Sequence, residues 1–504
     1  MAAKQKPNIL FLMTDQQRPD SLGCYGDTFA STPNLARLAK EGAVFDNCYV
    51  QNPLCCPSRY SLLTGRYPHS HRVRANWYAP REGEKSFAHQ LSRGGYNTAA
   101  IGKMHLTPWY DSFGFDGRII AESKFHIDCP DDYEHFLNAH GKSRKELYDF
   151  ESTTYLNQCT AIQSKLPQEQ HIDSFVGRSV CEYLKHVSEP FCVMGSFPSP
   201  HNPYDPPVPY ESLFMDKELP PVNMLEGEVA RKPREGYEYI NSCIPHWPVR
   251  TDEFTDEQIH RIKAYYYSLN TLVDDWIGKI IETLAEQGFD NNTIIIYTSD
   301  HGDLLGDHGL IFKQVFYEQS VKVPLIIHAP SYIEPQRRSE MVELIDLYNT
   351  ICGAAGVWEG EGVQGRSLLP LLKGETAYHR EAAFSESFFG KMIRYGMYKM
   401  VYYAGKPYGE LYNLEEDPFE QENLWDKLEG SAIKRELKDR LLEWMVSSED
   451  ELPLPVRPGH QDYTPVHLAM EYGAAVERAR QPWHLEELLP LYETWDLSEK
   501  GRLR

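Results

Sequence analysis

Residues Asn8–Thr14 read NILFLMT and run directly into Asp15. A short apolar run of this kind makes a strand buried on both faces, because it lacks the alternation of a strand with one face in water. Similar signals recur at Thr98–Ile101, Phe191–Phe197, Thr293–Ser299 (TIIIYTS) and Val323–His328. Helical patterns lie between them. One is announced by Thr32 as cap, Pro33 at the first helical position, Leu35, Leu38 and Ala39 on one face, and Gly42 as the stop. A longer one, Glu257–Glu286, places Ile259, Ile262, Leu269, Leu272, Val273, Trp276, Ile277 and Ile280 at helical spacing. Buried strands alternating with helices imply an α/β fold: a large, mixed, mostly parallel sheet sandwiched by helices.

The texture changes after Gly365–Glu375 (GRSLLPLLKGE), where short alternating runs such as MIRYGMYKMVYY predict a small antiparallel sheet and Lys434–Met445 a closing helix. The expected organisation is a catalytic domain over 1–375, a sheet-plus-helix subdomain over 376–458, and a tail over 459–504. The tail, with PWHLEELLPLYETW, is longer than the fold needs and suggests a homo-oligomer in which it packs on a neighbouring subunit.

Composition narrows the function. The chain of 504 residues carries 73 acidic against 51 basic side chains, a formal net charge of −22. That disfavours nucleic acid and anionic membranes as partners, since both require basic footprints. The first residues, MAAKQKPNILFLMTDQQ, hold only a short apolar stretch ending in an acid, so neither a signal peptide nor a membrane span is expected. Ten cysteines without a C-x-x-C pair argue against a zinc ribbon or a disulfide scaffold and for a reducing cytoplasm.

In open α/β sheets ligands sit beyond the carboxyl ends of the strands, so the polar residues following each apolar run are the ones to collect. They are Asp15-Gln16, Asp300-His301, Lys103 with His105, and His201. Taken singly, an Asp after a strand is more often a cap or turn former. Together, two carboxylates, an amide oxygen and an imidazole make a divalent-metal site, with lysines and further histidines to hold an anion.

The most specific signal is QNPLCCPSRYSLLTGR, in which Cys55-Cys56-Pro57-Ser58-Arg59 is followed by Leu62-Leu63-Thr64-Gly65-Arg66. It resembles the sulfatase signature C-x-P-S-R-x-x-L-L-T-G-R across its full length, and only with Cys55 in first place. IGKMHL, FPSPHNPYDPP, TSDHGDLLGDHGLIFKQVFYEQSVKVPLI and ELYNLEEDPFEQENL are similar to further family elements along most of the chain. The resemblance implies an alkaline phosphatase-like fold and hydrolysis of a sulfate monoester of a small molecule or saccharide. It also implies that Cys55 is oxidised to formylglycine by a separate maturation enzyme. In the family one hydroxyl of the hydrated aldehyde attacks sulfur and the other allows sulfate to leave.

Carried over residue by residue, Asp15, Gln16, Asp300 and His301 with position 55 would bind one divalent cation. Arg59 would orient the diol, while Lys103 and Lys313 would clamp the sulfate oxygens. His201, as imidazolium, would protonate the leaving alcohol, and His105 would act as the base. Gln16 and His301 stand where the commonest pattern has Asp and Asn, which makes Mn²⁺ a rival to the first choice, Ca²⁺. The alternative activity is phosphonate monoester or phosphodiester hydrolysis, whose branch shares the D-Q and D-H pairs and an Asn at the position of Asn76, a substrate-binding candidate. That branch has Tyr and Thr where this chain has Lys103 and His105. Trp77, Tyr78, Trp109 and Tyr110 are candidates for the pocket mouth, where aromatic faces suit a sugar, an aryl group or a quaternary ammonium.

Overall fold

The computed structural model describes residues 6–125, 131–148, 157–233, 237, 238, 240 and 250–449. The opening run forms β1 (Asn8–Asp15), every residue of it buried. Its alternate side chains feed two different cores. Leu10 and Leu12 pack with Phe175, Val176, Val273 and Ile277 of the helices Ile172–His186 and Asp256–Glu286. Ile9, Phe11 and Met13 join Leu62, Leu63, Leu347 and Ile351 on the opposite face. A strand serving both layers has no position left for a solvated side chain, which is why its sequence does not alternate.

The remaining strands are β2 (Ala43–Tyr49), β3 (Asn97–Gly102), β4 (Gly117–Ile120), β5 (Phe191–Pro200), β6 (Thr293–Ser299), β7 (Lys322–His328) and β8 (Gln336–Glu343). They order as β4-β3-β5-β1-β6-β7-β2-β8. The run from β4 to β6 is parallel, β7 is antiparallel to both β6 and β2, and β2 is parallel to β8. The architecture is the mixed, mostly parallel sandwich expected. The strands not anticipated are β2, β4 and β8; β4 and β8 are edge strands, β4 only the four residues GRII and β8 largely polar and part-exposed.

The helix α1 (Pro33–Lys40) corrects one expectation. The Thr32 side chain does not cap it but accepts from Gly23 N. The first amides, Asn34 N and Leu35 N, instead donate to the carboxylate of Asp274, at 3.0 and 2.8 Å. A long-range acid thus replaces the local cap. Gly42 is required by proximity, since a Cβ there would lie 2.6 Å from the Ile327 carbonyl oxygen.

A second sheet, order β12-β11-β10-β9, is antiparallel and comprises β9 (Ala382–Glu386), β10 (Lys391–Tyr395), β11 (Tyr398–Tyr402) and β12 (Gly409–Asn413). The helix Ala432–Ser447 closes it through Leu437, Leu441 and Trp444 against Ile393, Met400 and Leu411. It joins the large sheet through buried charge: Arg380 pairs with Glu343 and Asp346, and Lys399 with Glu318 and Glu420. The expected tail, 459–504, lies outside the described residues.

Candidate active site

β1 and β6 are neighbours in parallel register, Thr14 opposite Ser299, so Asp15 and Asp300 emerge side by side at their carboxyl ends. Backbone hydrogen bonding locks the pair, because Gln16 N donates to Asp300 Oδ1 at 3.0 Å. The helix α2 (Cys55–Thr64) begins at this point, with Cys55 as its first residue. Cys55 Sγ lies 3.1 Å from His301 Nε2 and 3.8 Å from Asp15 Oδ1. Asp15, Cys55, Asp300 and His301 are all buried and offer ligand atoms within 4.8 Å of one another.

This donor set fits a divalent cation. Burial holds His301 below the ordinary histidine value, and its Nδ1 faces the Gly302 carbonyl at 3.0 Å. The neutral imidazole therefore turns the Nε2 lone pair toward Cys55 and the two carboxylates. Gln16 stands with its amide nitrogen donating to Asp303 Oδ2 at 2.5 Å and its oxygen accepting from Lys313 Nζ at 2.5 Å.

Cationic side chains surround the carboxylates. Arg59, one turn after Cys55, donates Nε to Asp300 Oδ2 at 2.7 Å and Nη2 to Asp15 Oδ2 at 3.3 Å. Its Nη1 reaches the Lys103 carbonyl and Ser196 Oγ, tying β3 and β5 to the nucleophile helix. Lys103 Nζ sits 2.5 Å from Asp15 Oδ2. Burial opposes both charges, yet their attraction holds the Asp15 carboxyl well below its usual range, with Arg59 adding to the effect, and lifts Lys103 above its own against the repulsion of Arg59. Gly102 makes this placement possible: it has φ +98°, and a Cβ would fall 2.1 Å from the Ser196 carbonyl oxygen.

Two further histidines complete the group. Lys313 Nζ donates to His201 Nε2 at 2.7 Å, and His201 Nδ1 donates to the Asn202 carbonyl at 2.6 Å. Burial and the Lys313 charge together push His201 well below the ordinary histidine range. His105, half-buried and also lowered by burial, hydrogen-bonds Cys55. Asn76 is half-buried beside the nucleophile, its Oδ1 accepting from Cys56 N at 3.1 Å. Asp15, Gln16, Cys55, Arg59, Asn76, Lys103, His105, His201, Asp300, His301 and Lys313 therefore lie together at the strand ends, whereas Trp109 and Tyr110, also named from sequence, pack edge to face on each other.

Two supporting residues escaped the sequence reading. Glu122 is buried and accepts from Met104 N at 3.2 Å and His105 N at 2.7 Å, with Arg118 Nη2 at 2.9 Å beside it. It fixes a loop in which His105 has φ 56°. Asp303, also buried, accepts from Gln16, from Tyr204 OH at 2.6 Å, and from the amides of Leu305 and Phe312. The only signal that could have found Asp303 is its place two residues beyond Asp300-His301.

A cysteine at a helix N-terminus, facing buried carboxylates with two lysines and an arginine around them, suits a hydrolase of tetrahedral oxyanion esters within a mixed α/β sandwich. The chain belongs to the sulfatase family, whose profile matches residues 7–357, and it is a sulfuric ester hydrolase. A second profile, N-sulphoglucosamine sulphohydrolase, C-terminal, matches residues 306–447. The chain is 31% identical to an arylsulfatase of Clostridium perfringens, over 83% of this chain and 90% of the relative. It is 30% identical to a choline-sulfatase of Rhizobium meliloti, over 84% and 83%. The crystal structure of phosphonate monoester hydrolase of Agrobacterium radiobacter superposes with a TM-score of 0.78 at 25% identity, covering 88% of this chain and 96% of that one.

Proposed function

We propose that this protein cleaves an organic sulfate monoester to an alcohol and inorganic sulfate at Cys55, matured to formylglycine. The observation that carries this reading is the position of Cys55 Sγ, 3.1 Å from His301 Nε2 in the buried group with Asp15 and Asp300. Asp15, Gln16, Asp300 and His301 would hold one divalent cation, Ca²⁺ in first place and Mn²⁺ as the rival. Such a cation would polarise sulfate oxygens and lower the pKa of a hydroxyl at position 55. Formylglycine would supply that hydroxyl and a second one for release of sulfate.

The remaining roles fall to residues of the chain itself. Arg59, bonded to both carboxylates, orients position 55 and offsets the charge of the cluster. Lys103 and Lys313 approach from opposite sides and bind oxygens of the transferring group. His201, whose Nε2 accepts from Lys313 Nζ at 2.7 Å, relays a proton from that ammonium to the departing alcohol oxygen. His105, in contact with Cys55, accepts the proton released at position 55.

A phosphonate monoester or phosphodiester hydrolase is the second reading, favoured by the structural neighbour above and by Asn76 next to the nucleophile. Lys103 and His105 argue for sulfate, because the phosphonate branch that the chain also resembles has Tyr and Thr at these positions. Saccharide sulfates are the favoured substrates: a relative from Bacteroides thetaiotaomicron is an N-acetylglucosamine-6-O-sulfatase, 27% identical over 89% of this chain. Turnover of matched 4-nitrophenyl sulfate, phosphonate monoester and phosphodiester by protein coexpressed with a maturation enzyme tests the proposal. Sulfate should lead; a phosphonate preference would overturn it. Peptide mass spectrometry should find the Cys55 side chain converted to the aldehyde.

A further inference from the structure

Most aromatic side chains of this protein are spent on its cores, but three large ones at the site are not. Trp77 is 71% exposed, Tyr78 53% and Phe388 57%. They belong to one wall. The Trp77 ring meets the edge of His105 with centroids 5.2 Å apart, and Tyr78 meets Phe388 at 6.2 Å, both in T-shaped geometry. The loop bearing the first two is anchored to the nucleophile helix, since Cys56 donates its amide to Asn76 and its thiol to the His105 carbonyl. Phe388 comes from the turn between β9 and β10, closed by Ser387 N donating to Gly390 O at 2.9 Å. Both domains therefore contribute to the wall.

Holding an exposed tryptophan here has a cost. Trp77 has φ 71°, a left-handed backbone that a bulky residue rarely adopts. This strained residue keeps its ring largely in solvent beside His105, which points to a ligand contact. The charges nearby say what kind. Exposed Arg74 precedes the loop, whereas Lys391, which follows Phe388, is ion-paired with the buried Glu386. The Arg74 charge beside the loop disfavours a cationic alcohol but not a neutral or acidic ring.

We propose that Trp77, Tyr78 and Phe388 form the surface that receives the alcohol half of the ester, and that this half presents a ring face, carbohydrate or aryl, rather than a compact cation. The proposal deepens the sulfatase reading and takes the reaction from it. Ring faces stack on indole and phenyl groups with a modest gain each, so recognition is spread over the wall.

The test compares KM for N-acetylglucosamine 6-sulfate, 4-nitrophenyl sulfate and choline sulfate in the matured, metal-loaded protein and its variants. Trp77→Ala should raise KM for a ring ester about tenfold, with kcat changed less, and Trp77→Phe should recover most of it. Phe388→Ala should raise it severalfold while leaving KM for choline sulfate within about twofold. The larger loss among the two ring esters tells sugar from aryl. Because each side chain is more than half exposed, its truncation opens no cavity. Unchanged KM for both ring esters, or an equal rise for choline sulfate, would overturn the proposal. If 4-nitrophenyl phenylphosphonate outpaces 4-nitrophenyl sulfate, the sulfatase reading fails instead, and the wall is then judged on KM for that phosphonate, whose ring it should still bind.

Discussion

Glu122 shows how one carboxylate outside the reacting group can set its geometry. It holds two successive amides, one belonging to a histidine with a left-handed backbone. Replacing it by glutamine keeps the shape but turns a donor toward one of those amides. Glu122→Gln should therefore lower kcat on the order of 10²-fold, as expected when a catalytic group shifts by a fraction of an ångström to one ångström. Steady-state kinetics on an aryl sulfate, with circular dichroism to establish the fold, measures this; an undiminished kcat would show that His105 holds its place without the anchor. The same scale explains what was legible. Cys55, Arg59, Lys103, His105, His201 and Lys313 stand in motifs whose residue types serve chemistry, and they meet in one cleft. Glu122 and Asp303 serve other residues through backbone amides and a glutamine side chain, which leave no local pattern. The lowered pKa of His201 was beyond reach for another reason: it depends on burial and on Lys313, which lies far along the chain.

At the level of elements, α2 starts with unsatisfied amides and no side-chain cap from its own N-cap, Leu54. Asn76 supplies an acceptor across the loop. Asn76→Ala should cost about 1 kcal/mol of stability, the usual price of a lost cap, read from a urea midpoint. The loop after β5 is secured differently. Buried His171, at the start of the helix Ile172–His186, pairs with Asp173 at 3.2 Å and Asp205 at 3.5 Å. Burial alone would lower its pKa, but Asp205 and Asp173 raise it to about 9. A raised histidine contributes stability that is fully present below its unfolded value near 6.5 and lost as pH rises through the folded value. Thermal unfolding should therefore show wild type ahead of His171→Gln by on the order of 3 kcal/mol at pH 6, with the gap closing by pH 9 to 10. A gap independent of pH would mean that the imidazole acts by shape alone.

For the whole molecule, the question is whether the small sheet is an appendage. Arg380 lies two residues before β9 and bonds to the buried Asp346 and Glu343 of the large domain. Removing it strands two carboxylates in a low-dielectric interior. Arg380→Ala should destabilise by about 3–5 kcal/mol and should do so in one cooperative transition, because the small sheet and the large one share these charges. Calorimetry showing two separate transitions would instead make the C-terminal sheet an independent unit. The aromatic wall belongs to this scale as well, since Phe388 contributes to it only if the two sheets hold their mutual position.

The sequence by itself determined the buried parallel strands, the layered α/β class and the motif that places Cys55 at the start of α2. Each of these rests on short-range information: hydrophobic period, helix signals and residue type at fixed spacing. Tertiary structure alone decided the order β4-β3-β5-β1-β6-β7-β2-β8, the antiparallel course of β7, the capping of α1 by Asp274 and the support of the site by Glu122 and Asp303. The physical reason is common to all of them. Strand neighbours, long-range caps and buried carboxylate anchors are chosen by packing and by the need to satisfy buried polar groups, and both bring together residues whose separation along the chain carries no periodic trace.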